Sequence, residues 1–516
     1  MILARLHRRD PTSTLGQPHI MPIRRALTTF RPSLPLMGVA AVLLLQATRQ
    51  PSPFDDAFIT FRYARNIAAG SGFVYNLNQP VLGTTTPLFS AVLASIGALL
   101  GPNVIPHAAF VVSIVADCIS AWLIFRLARS AFADDRVALL LSLAFALSPF
   151  RLSVAIGGME ASLFTLLLLL AFERLVIART LISGSLFAAL AILTRPDAPI
   201  ALTPLFAYLF LRDRRFALGA IAVVTALVLP WTAWATFNFG SPLPHSIAAK
   251  ASAYQSSPGF AAYFISAFLA TGTLAQYTVT PLLLITSFAS LSVVVTGTIL
   301  MARRRPEFIS LVSYAPLFLA LMVLANAPMF FPWYYYPILP SLIFAAAALV
   351  WFLPIRSRAP RLGLLALTIV GTLLIPTYLM QSSPSWPLSR EREIAYHDAC
   401  RFLQTYSRPD EVVLAPDIGV IGWCLPDNEM LDPIGLVSPG AMPYLPPRSQ
   451  APAIPSELVL DSRPELIVAL EQYLIPFLAR SPEFATAYHE VWSRPVTIAG
   501  HTQQLHIYRQ SDPYDP

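Results

Sequence analysis

The sequence predicts an α-helical polytopic membrane protein with a soluble α/β domain at its C-terminal end. The chain of 516 residues is 55% hydrophobic and only 12% charged, a composition that excludes a soluble multidomain protein. Apolar runs long enough to cross a bilayer recur between residues 34 and 383. From residue 384 to residue 516 the pattern changes to short apolar runs separated by polar, proline-rich turns, which is typical of a small domain outside the membrane.

The membrane part is predicted to contain about eleven transmembrane helices, preceded by a basic tail. Residues 1 to 33 are polar and basic and are expected to lie in the cytoplasm. Residues 50 to 105 form a first outer loop, in which the apolar stretch Pro87–Leu100 is too short to span and is expected to be a juxtamembrane helix. The predicted spans are 34–49, 106–126, 137–150, 161–178, 181–194, 197–212, 216–236, 276–301, 308–325, 337–354 and 362–380.

The distribution of Lys and Arg favours this topology. The predicted cytoplasmic segments hold 20 of these residues and the outer loops hold six. If Pro87–Leu100 were counted as a span, most of the basic residues between spans would move outside, against the positive-inside rule. The N-terminus is therefore expected inside and the C-terminal domain outside. The net charge of +7 lies in short blocks at the membrane edges, so no nucleic-acid partner is predicted.

The C-terminal domain, residues 384–516, contains 17 acidic residues and alternates short apolar runs with turns. Cys400 and Cys424 lie here and either form a disulfide or remain two buried thiols. The sequence has no Cys/His spacing typical of a metal site. No metal or other cofactor is predicted, and a divalent cation stays an open alternative. The expected elements are a helix at 389–406 and strands at 411–416, 418–424, 429–432, 465–469, 488–493 and 504–509.

Two adjacent carboxylates, Asp55 and Asp56, follow the first predicted span. Acids beside a membrane are costly in a chain with so few charges. In a structural interpretation, Asp55 caps a helix from Asp56 to Ala69. In a catalytic interpretation, Asp55 is the better candidate for a general base and Asp56 supports it. The two interpretations are compatible.

Other polar and aromatic residues of the predicted outer loops are candidates for substrate binding. Lys250, the only lysine of the chain, either snorkels at the membrane edge or contacts a phosphate. Arg195 and Asp197 can also simply pair with each other. Asp117, inside the second span, needs a partner that the sequence does not name. The candidates are Arg62, Tyr63, His107, Glu160, Arg195, Asp197, His245, Lys250, Trp333, Tyr334 and Tyr335.

The aromatic run from Trp333 to Tyr335 is typical of an interfacial belt, although such rings also stack on sugars. An outer carboxylate pair with cations and an aromatic rim suits a transferase whose donor is a sugar on a membrane-bound polyprenyl phosphate. A carboxylate takes the proton of an acceptor hydroxyl as it attacks the anomeric carbon, and cations stabilise the departing phosphate. The chain contains no P-loop and no strand-linked G-x-G-x-x-G motif, so a nucleotide fold is not indicated.

Several strings of the sequence resemble a known group of enzymes. They are DDAFITFRYARN, GFVYN and GTTTPLF within 55–89, GGMEASLF at 157–164, LTRPDA at 193–198, PLPHSIAAK at 242–250, DIGVIGWC at 417–424 and LDPIGLVSP at 431–439. The chain resembles bacterial GT-C type integral membrane glycosyltransferases, in particular the branch of the mycobacterial terminal arabinofuranosyltransferases. It is more distantly similar to the branch of protein mannosyltransferases and lipid A aminoarabinose transferases.

This resemblance implies a catalytic acid in the first outer loop, a polyprenyl-phosphate sugar donor and an extracytoplasmic domain over the site. It also implies a bacterial inner-membrane location and transfer to an envelope glycan or lipid. It does not fix the acceptor or the sugar, for which a pentofuranose such as arabinofuranose is one candidate. His245 departs from the pattern, because similar proteins have Asn at that place. The alternative functions are a transporter or flippase of lipid-linked sugars, whose coupling acids would lie near the bilayer midplane, and an assembly factor for envelope polysaccharide.

Overall fold

The computed structural model of the chain describes residues 51–253, 281–324, 332–355, 357–371, 390–445, 454–474, 481–498 and 501–511, with Val39, Leu43, Leu45 and Thr48. The predicted cytoplasmic tail, residues 1 to 33, lies outside the described residues. Nearly all of the predicted first span, 34–49, does so as well. The description therefore begins in effect at the first outer loop.

Among the described residues before residue 372 the regular elements are helices, because the apolar runs there are long and rich in Leu and Ala. They are α1 Asp55–Ala68, α2 Pro87–Leu100, α3 Ile105–Phe132, α4 Asp135–Ala146, α5 Pro149–Ile156, α6 Ala161–Phe172, α7 Leu181–Thr194, α8 Ala198–Arg212, α9 Arg214–Phe239, α10 His245–Ala253, α11 Pro281–Arg304, α12 Ile309–Leu324, α13 Pro332–Tyr335, α14 Leu339–Trp351 and α15 Arg358–Ile369.

Where the structure describes them, the predicted spans from residue 106 onward lie largely in helices, but their number as membrane crossings stays a prediction. Residues 276–280, 325 and 372–380 of these spans lie outside the described residues. Within the described residues, four helical stretches are long and apolar enough to cross a membrane. They are Pro102–Phe132, Arg214–Phe239, Pro306–Leu324 and Trp333–Trp351. Other apolar helices are shorter. The stretch Pro87–Leu100 is a helix with the bounds given above, and its 14 residues reach about 21 Å, less than the ~30 Å of a hydrocarbon core.

The bundle has buried and peripheral helices. α14 is almost wholly buried against α11 and α12, whereas α9 leaves large apolar side chains such as Leu227 and Leu229 exposed. An exposed row of Leu and Ile is expected where a helix faces lipid rather than water. At the C-terminal end of α9, Trp231, Trp234 and Phe239 pack with Phe73 of the first outer loop, as in an interfacial aromatic belt.

The C-terminal domain is an α/β unit with a five-stranded sheet of order β2-β1-β3-β5-β4. β1 pairs in parallel with β2 and β3, and β5 pairs antiparallel with β3 and β4. All five residues of β3 are buried, so this strand forms the centre of the core. The elements are α16 Arg390–Tyr406, β1 Val412–Leu414, α17 Ile418–Cys424, β2 Glu429–Leu431, α18 Ser456–Ser462, β3 Leu466–Leu470, α19 Glu471–Leu474, α20 Pro482–Ala487, β4 Tyr488–Ile498 and β5 His501–Gln510.

The prediction of a strand at 418–424 is wrong, because this segment is the helix α17. Its residues Ile418 to Gly422 are all buried, so the apolar run carries no period that would separate a strand from a helix. Cys400 of α16 and Cys424 at the end of α17 form a disulfide, which resolves the alternative of two thiols. This bridge ties α17 to α16.

Candidate active site

The carboxylate of Asp55 is held by the C-terminal domain. It accepts hydrogen bonds from the backbone N–H groups of Gly419, 3.0 Å from Oδ2, and Val420, 2.7 Å from Oδ1. Asp55 is only 4% exposed. Burial raises the pKa of Asp55 well above its usual range, the carboxylates of Asp417 and Glu393 raise it further, and the N–H of Val420 opposes the shift.

Gly419 makes this contact possible. A Cβ atom at this position would lie 1.8 Å from the backbone oxygen of Asp55, so any side chain would push α17 away from α1. The interpretation of Asp55 as a cap of its own helix is wrong: α1 begins at Asp55, and the residue before it, Phe54, makes no side-chain cap. The carboxylate binds the start of another helix instead.

Asp56 points in a different direction, because successive residues of a helix are about 100° apart. Its Oδ2 lies 3.2 Å from Nζ of Lys250, and the two side chains are 29% and 24% exposed. Burial lowers the pKa of Lys250, but Asp56, Tyr334 and Glu160 together hold this pKa above its usual range. Lys250 is therefore paired with one of the predicted catalytic acids.

Glu160, Arg195 and Asp197 form a second charged cluster. Nη1 of Arg195 lies 2.7 Å from Oε1 of Glu160, and its Nε lies 2.8 Å from Oδ1 of Asp197. Arg195 and Glu160 are buried, and Asp197 is partly exposed. The predicted pairing of Arg195 with Asp197 is confirmed, with Glu160 as an additional partner. The charge of Glu160 also raises the pKa of Lys250, so the two clusters lie within electrostatic reach of each other.

The predicted aromatic residues lie beside both clusters. The ring of Trp333 is 5.6 Å from that of Phe54, which directly precedes Asp55. The ring of Tyr334 lies 5.3 Å from Cζ of Arg195. Trp333 and Tyr335 are buried, and Tyr334 is partly exposed. Tyr334 is thus the ring of this run that adjoins the charged groups and retains exposed surface.

Helix α10, which carries Lys250, also carries the polar side chains of His245 and Ser246. The backbone N–H of His245 donates to the oxygen of Leu82, which ties the start of α10 to the first outer loop. Within the described residues, Nε2 of His245 and Oγ of Ser246 are buried without a hydrogen-bond partner. Ser246 is four residues before Lys250 and therefore lies on the same face of α10. The sequence analysis did not single out Ser246, although this spacing could have indicated it.

Three other candidates lie elsewhere. Arg62 is 1% exposed, and its guanidinium donates to backbone oxygens of the outer loop and the C-terminal domain. The hydroxyl of Tyr63 donates to the oxygen of Val81 and accepts from the N–H of Gly83. Both side chains are committed to protein contacts. His107 is exposed at the start of α3, and no hydrogen bond among the described residues joins it to either cluster.

A buried network around Asp117 and the buried acid Glu393 lie outside the two charged clusters. Asp117 pairs with Arg151 and accepts a hydrogen bond from the hydroxyl of Tyr336, which identifies the partners that the sequence left open. Glu393 of α16 is buried at the contact with α1 and was missed, because nothing in its local sequence separates it from the exposed acids of the same helix. No group of three His, Cys, Asp or Glu side chains suited to a metal occurs in the described part of the chain.

Residues 387–509 match a family described as a domain of unknown function, DUF8728. No curated protein matches the chain in sequence. In structure the chain is similar to ArnT from Cupriavidus metallidurans bound to undecaprenyl phosphate, with a TM-score of 0.53, 13% identity and coverage of 92% of this chain and 97% of that chain. The apo state of the same ArnT gives a TM-score of 0.56, 13% identity, and coverage of 91% and 97%. The chain is therefore similar to ArnT in fold. The predicted resemblance to the mycobacterial arabinofuranosyltransferase branch stays a prediction.

Proposed function

We propose that this chain is a membrane glycosyltransferase that moves a sugar from a polyprenyl-phosphate donor to an envelope glycan or lipid on the outer face of the bacterial inner membrane. The observation that carries this proposal is the ion pair of Asp56 with Lys250. A partly exposed carboxylate and a cation in contact are the two groups that such a transfer requires, one for the acceptor proton and one for the leaving phosphate.

In this proposal Asp56 is the general base. It takes the proton of an acceptor hydroxyl while the oxygen attacks the anomeric carbon of the donor sugar, and the bond between that carbon and the phosphate oxygen breaks. The sequence analysis assigned this role to Asp55. Two observations support the reverse order: both oxygens of Asp55 already accept backbone N–H groups, and Asp55 is buried whereas Asp56 is partly exposed.

Asp55 then serves to orient the base. Its contact with α17 fixes the first turn of α1 and with it the direction of Asp56. A base must come within about 2.6–3.2 Å of the heavy atom whose proton it removes. A small change in the angle of α1 would therefore move Asp56 out of reach of the acceptor hydroxyl. In this proposal Asp55 fixes the position of α1, and Asp56 removes the proton.

The phosphate of the donor binds beside Lys250 of α10 in this proposal. Lys250, in the last turn of this helix, supplies the positive charge. The buried hydroxyl of Ser246 and the ring nitrogen of His245 are the further polar groups on this helix. One structure of ArnT, which is similar in fold, has undecaprenyl phosphate bound. This supports a lipid phosphate as the class of ligand.

The second cluster and the aromatic run suit the sugar or the acceptor. Asp197 and Tyr334 are partly exposed, and both contact the buried Arg195. A carboxylate and an aromatic ring are therefore close to each other beside this arginine. Such a combination binds a sugar by hydrogen bonds to hydroxyl groups and by stacking on its apolar face. The resemblance to arabinofuranosyltransferases favours a pentofuranose such as arabinofuranose.

The decisive experiment is transfer by the full-length protein in detergent. Polyprenyl-phosphate-linked, radiolabelled arabinofuranose is supplied with an envelope glycan fraction, and the label in the glycan is counted. We expect transfer by the wild-type protein and its loss in Asp56→Asn. If the protein instead moves the intact lipid-linked sugar across liposomes without cleaving the phosphate bond, the transferase proposal is wrong and the flippase alternative holds.

A further inference from the structure

Glu393 is a buried acid at the contact between the C-terminal domain and α1. Glu393 is 6% exposed. Within the described residues, neither of its carboxyl oxygens accepts a hydrogen bond of normal geometry. The nearest cation of its own helix is Arg392, whose Nη1 is 3.8 Å from Oε1. That guanidinium is already bound to Asp417. A buried carboxylate with so little compensation is costly in its charged form.

The groups that face Glu393 carry mostly negative charge. Asp55 and Asp56 approach from α1, Asp417 from the residue before α17, and Arg392 from α16 itself. Burial raises the pKa of Glu393 to about 7, Asp417 and Asp56 raise it, and Arg392 and the N–H of Asp55 lower it. One cation thus stands among several acids, and a proton is the simplest remaining source of compensation.

Asp55 and Glu393 compete for that proton, since two buried acids this close are not both charged without a large penalty. Asp55 accepts a backbone N–H at each oxygen, and such bonds stabilise the ionised form. Glu393 faces the N–H of Asp55, but within the described residues neither of its oxygens has a hydrogen bond of normal geometry. Burial raises the pKa of both acids, but the two N–H groups favour the charge on Asp55, so the proton is assigned to Glu393.

We propose that Glu393 is a positioning residue of the site, which rests on the proposed function: its neutral carboxyl allows α17 to hold ionised Asp55, and its ionisation weakens that hold. Loss of the proton places a second buried negative charge beside Asp55. Asp55 then separates from the N–H groups of Gly419 and Val420, and the first turn of α1 loosens. Because Asp56 follows Asp55 directly, the base loses its position relative to Lys250.

The direction of the pH effect follows from this arrangement. The pKa of Glu393 in the folded protein lies above the ordinary glutamate value, so the stabilising effect of the neutral form is complete at low pH and is lost as the pH rises through about 7. Between pH 6 and pH 8 the neutral fraction of such a group falls about tenfold. The hold on Asp55 is expected to weaken over the same interval.

Hydrogen exchange of the full-length protein tests this without any substrate. In the wild-type protein we expect the protection factors of the Gly419 and Val420 amides, corrected for intrinsic exchange, to fall up to about tenfold from pH 6 to pH 8. In Glu393→Gln, which is neutral at every pH, the same protection factors stay constant. Protection that is independent of pH in the wild-type protein would overturn the proposal, whether or not the variant folds.

The transfer rate supplies a second readout. The ratio of kcat at pH 8 to kcat at pH 6 is expected to be severalfold higher in Glu393→Gln than in the wild type. Glu391→Gln, the same substitution at an exposed residue two positions away, should keep the wild-type ratio. Equal ratios in all three proteins would contradict the role of Glu393 in catalysis. A complete lack of transfer with the expected exchange result would instead count against the proposed function alone.

Discussion

Asp55 and Val420 are 365 positions apart in the sequence and are joined by a hydrogen bond of 2.7 Å between the carboxylate and the backbone N–H. This bond connects the first outer loop, where the proposed base lies, with the domain that matches a family of unknown function. The C-terminal domain is therefore part of the site, since it fixes the helix that carries Asp56.

The two aspartates should respond differently to removal of their charge. Asp56→Asn removes the proposed base and is expected to lower kcat by roughly a hundredfold to ten-thousandfold, with thermal unfolding unchanged. Asp55→Ala leaves two buried N–H groups unpaired, at a cost of about 1–3 kcal/mol for each group, and should lower the unfolding temperature as well as the rate. Transfer assays and thermal unfolding of both variants separate the two roles. Loss of activity in Asp55→Asn with normal transfer by Asp56→Asn would restore the order that the sequence suggested.

Lys250 is expected to set the affinity for the lipid phosphate. Lys250→Ala should weaken binding of undecaprenyl phosphate by about tenfold or more, because the nearby acids then face the phosphate without a compensating cation. Lys250→Arg should recover only part of the affinity, since a planar fork replaces a compact charge. The measurement is the shift in unfolding temperature as undecaprenyl phosphate is added. Equal shifts in all three proteins would mean that Lys250 serves only as the partner of Asp56.

Ser246 offers a narrower test of the same subsite. Ser246→Ala removes a buried hydroxyl that lacks a partner among the described residues, so the unliganded protein should be as stable as the wild type or more so. Binding of undecaprenyl phosphate should nevertheless weaken severalfold if the hydroxyl donates to the phosphate. Ser95→Ala, at an exposed hydroxyl on α2 that bonds to its own helix, is the matched control. Unchanged binding in Ser246→Ala would exclude this hydroxyl from the phosphate subsite.

The sequence was sufficient for features that depend on local pattern. The short helix Pro87–Leu100 was identified by its length and apolar composition. The cost of charge near a membrane singled out Asp55 and Asp56, whose catalytic role stays a prediction. The helix α17 was mistaken for a strand, because its buried apolar run has no helical period and its start contacts Asp55, a residue hundreds of positions away. Arg62 was taken for a binding residue for a similar reason. Its partners are backbone oxygens such as that of Gly422, and a sequence gives no signal for them.

Arg62 should behave as a structural link between the outer loop and the C-terminal domain. Arg62→Met keeps much of the volume but removes the guanidinium donor of the backbone oxygens of Gly422 and Asn428. At about 1–3 kcal/mol for a buried group left unpaired, a marked fall in unfolding temperature is expected. Arg401→Met, at an arginine that is 77% exposed, should have little effect. A stable Arg62→Met protein with impaired donor binding would show that Arg62 acts on the substrate after all.

The topology is the prediction on which the location of the active face depends. The loops predicted to be cytoplasmic contact one another: Arg179 pairs with Asp213 at 2.6 Å, and Arg305 donates to the oxygen of Ala131 at 3.0 Å. Their basic residues should keep this end inside and the site outside. A periplasm-active phosphatase fused after residue 383 should be active, and a cytoplasmic fluorescent protein at the same place should be dark. Fusions after Arg305 should give the opposite result. A fluorescent fusion after residue 383 would place the C-terminal domain in the cytoplasm, and the proposal of transfer on the outer face would fail with it.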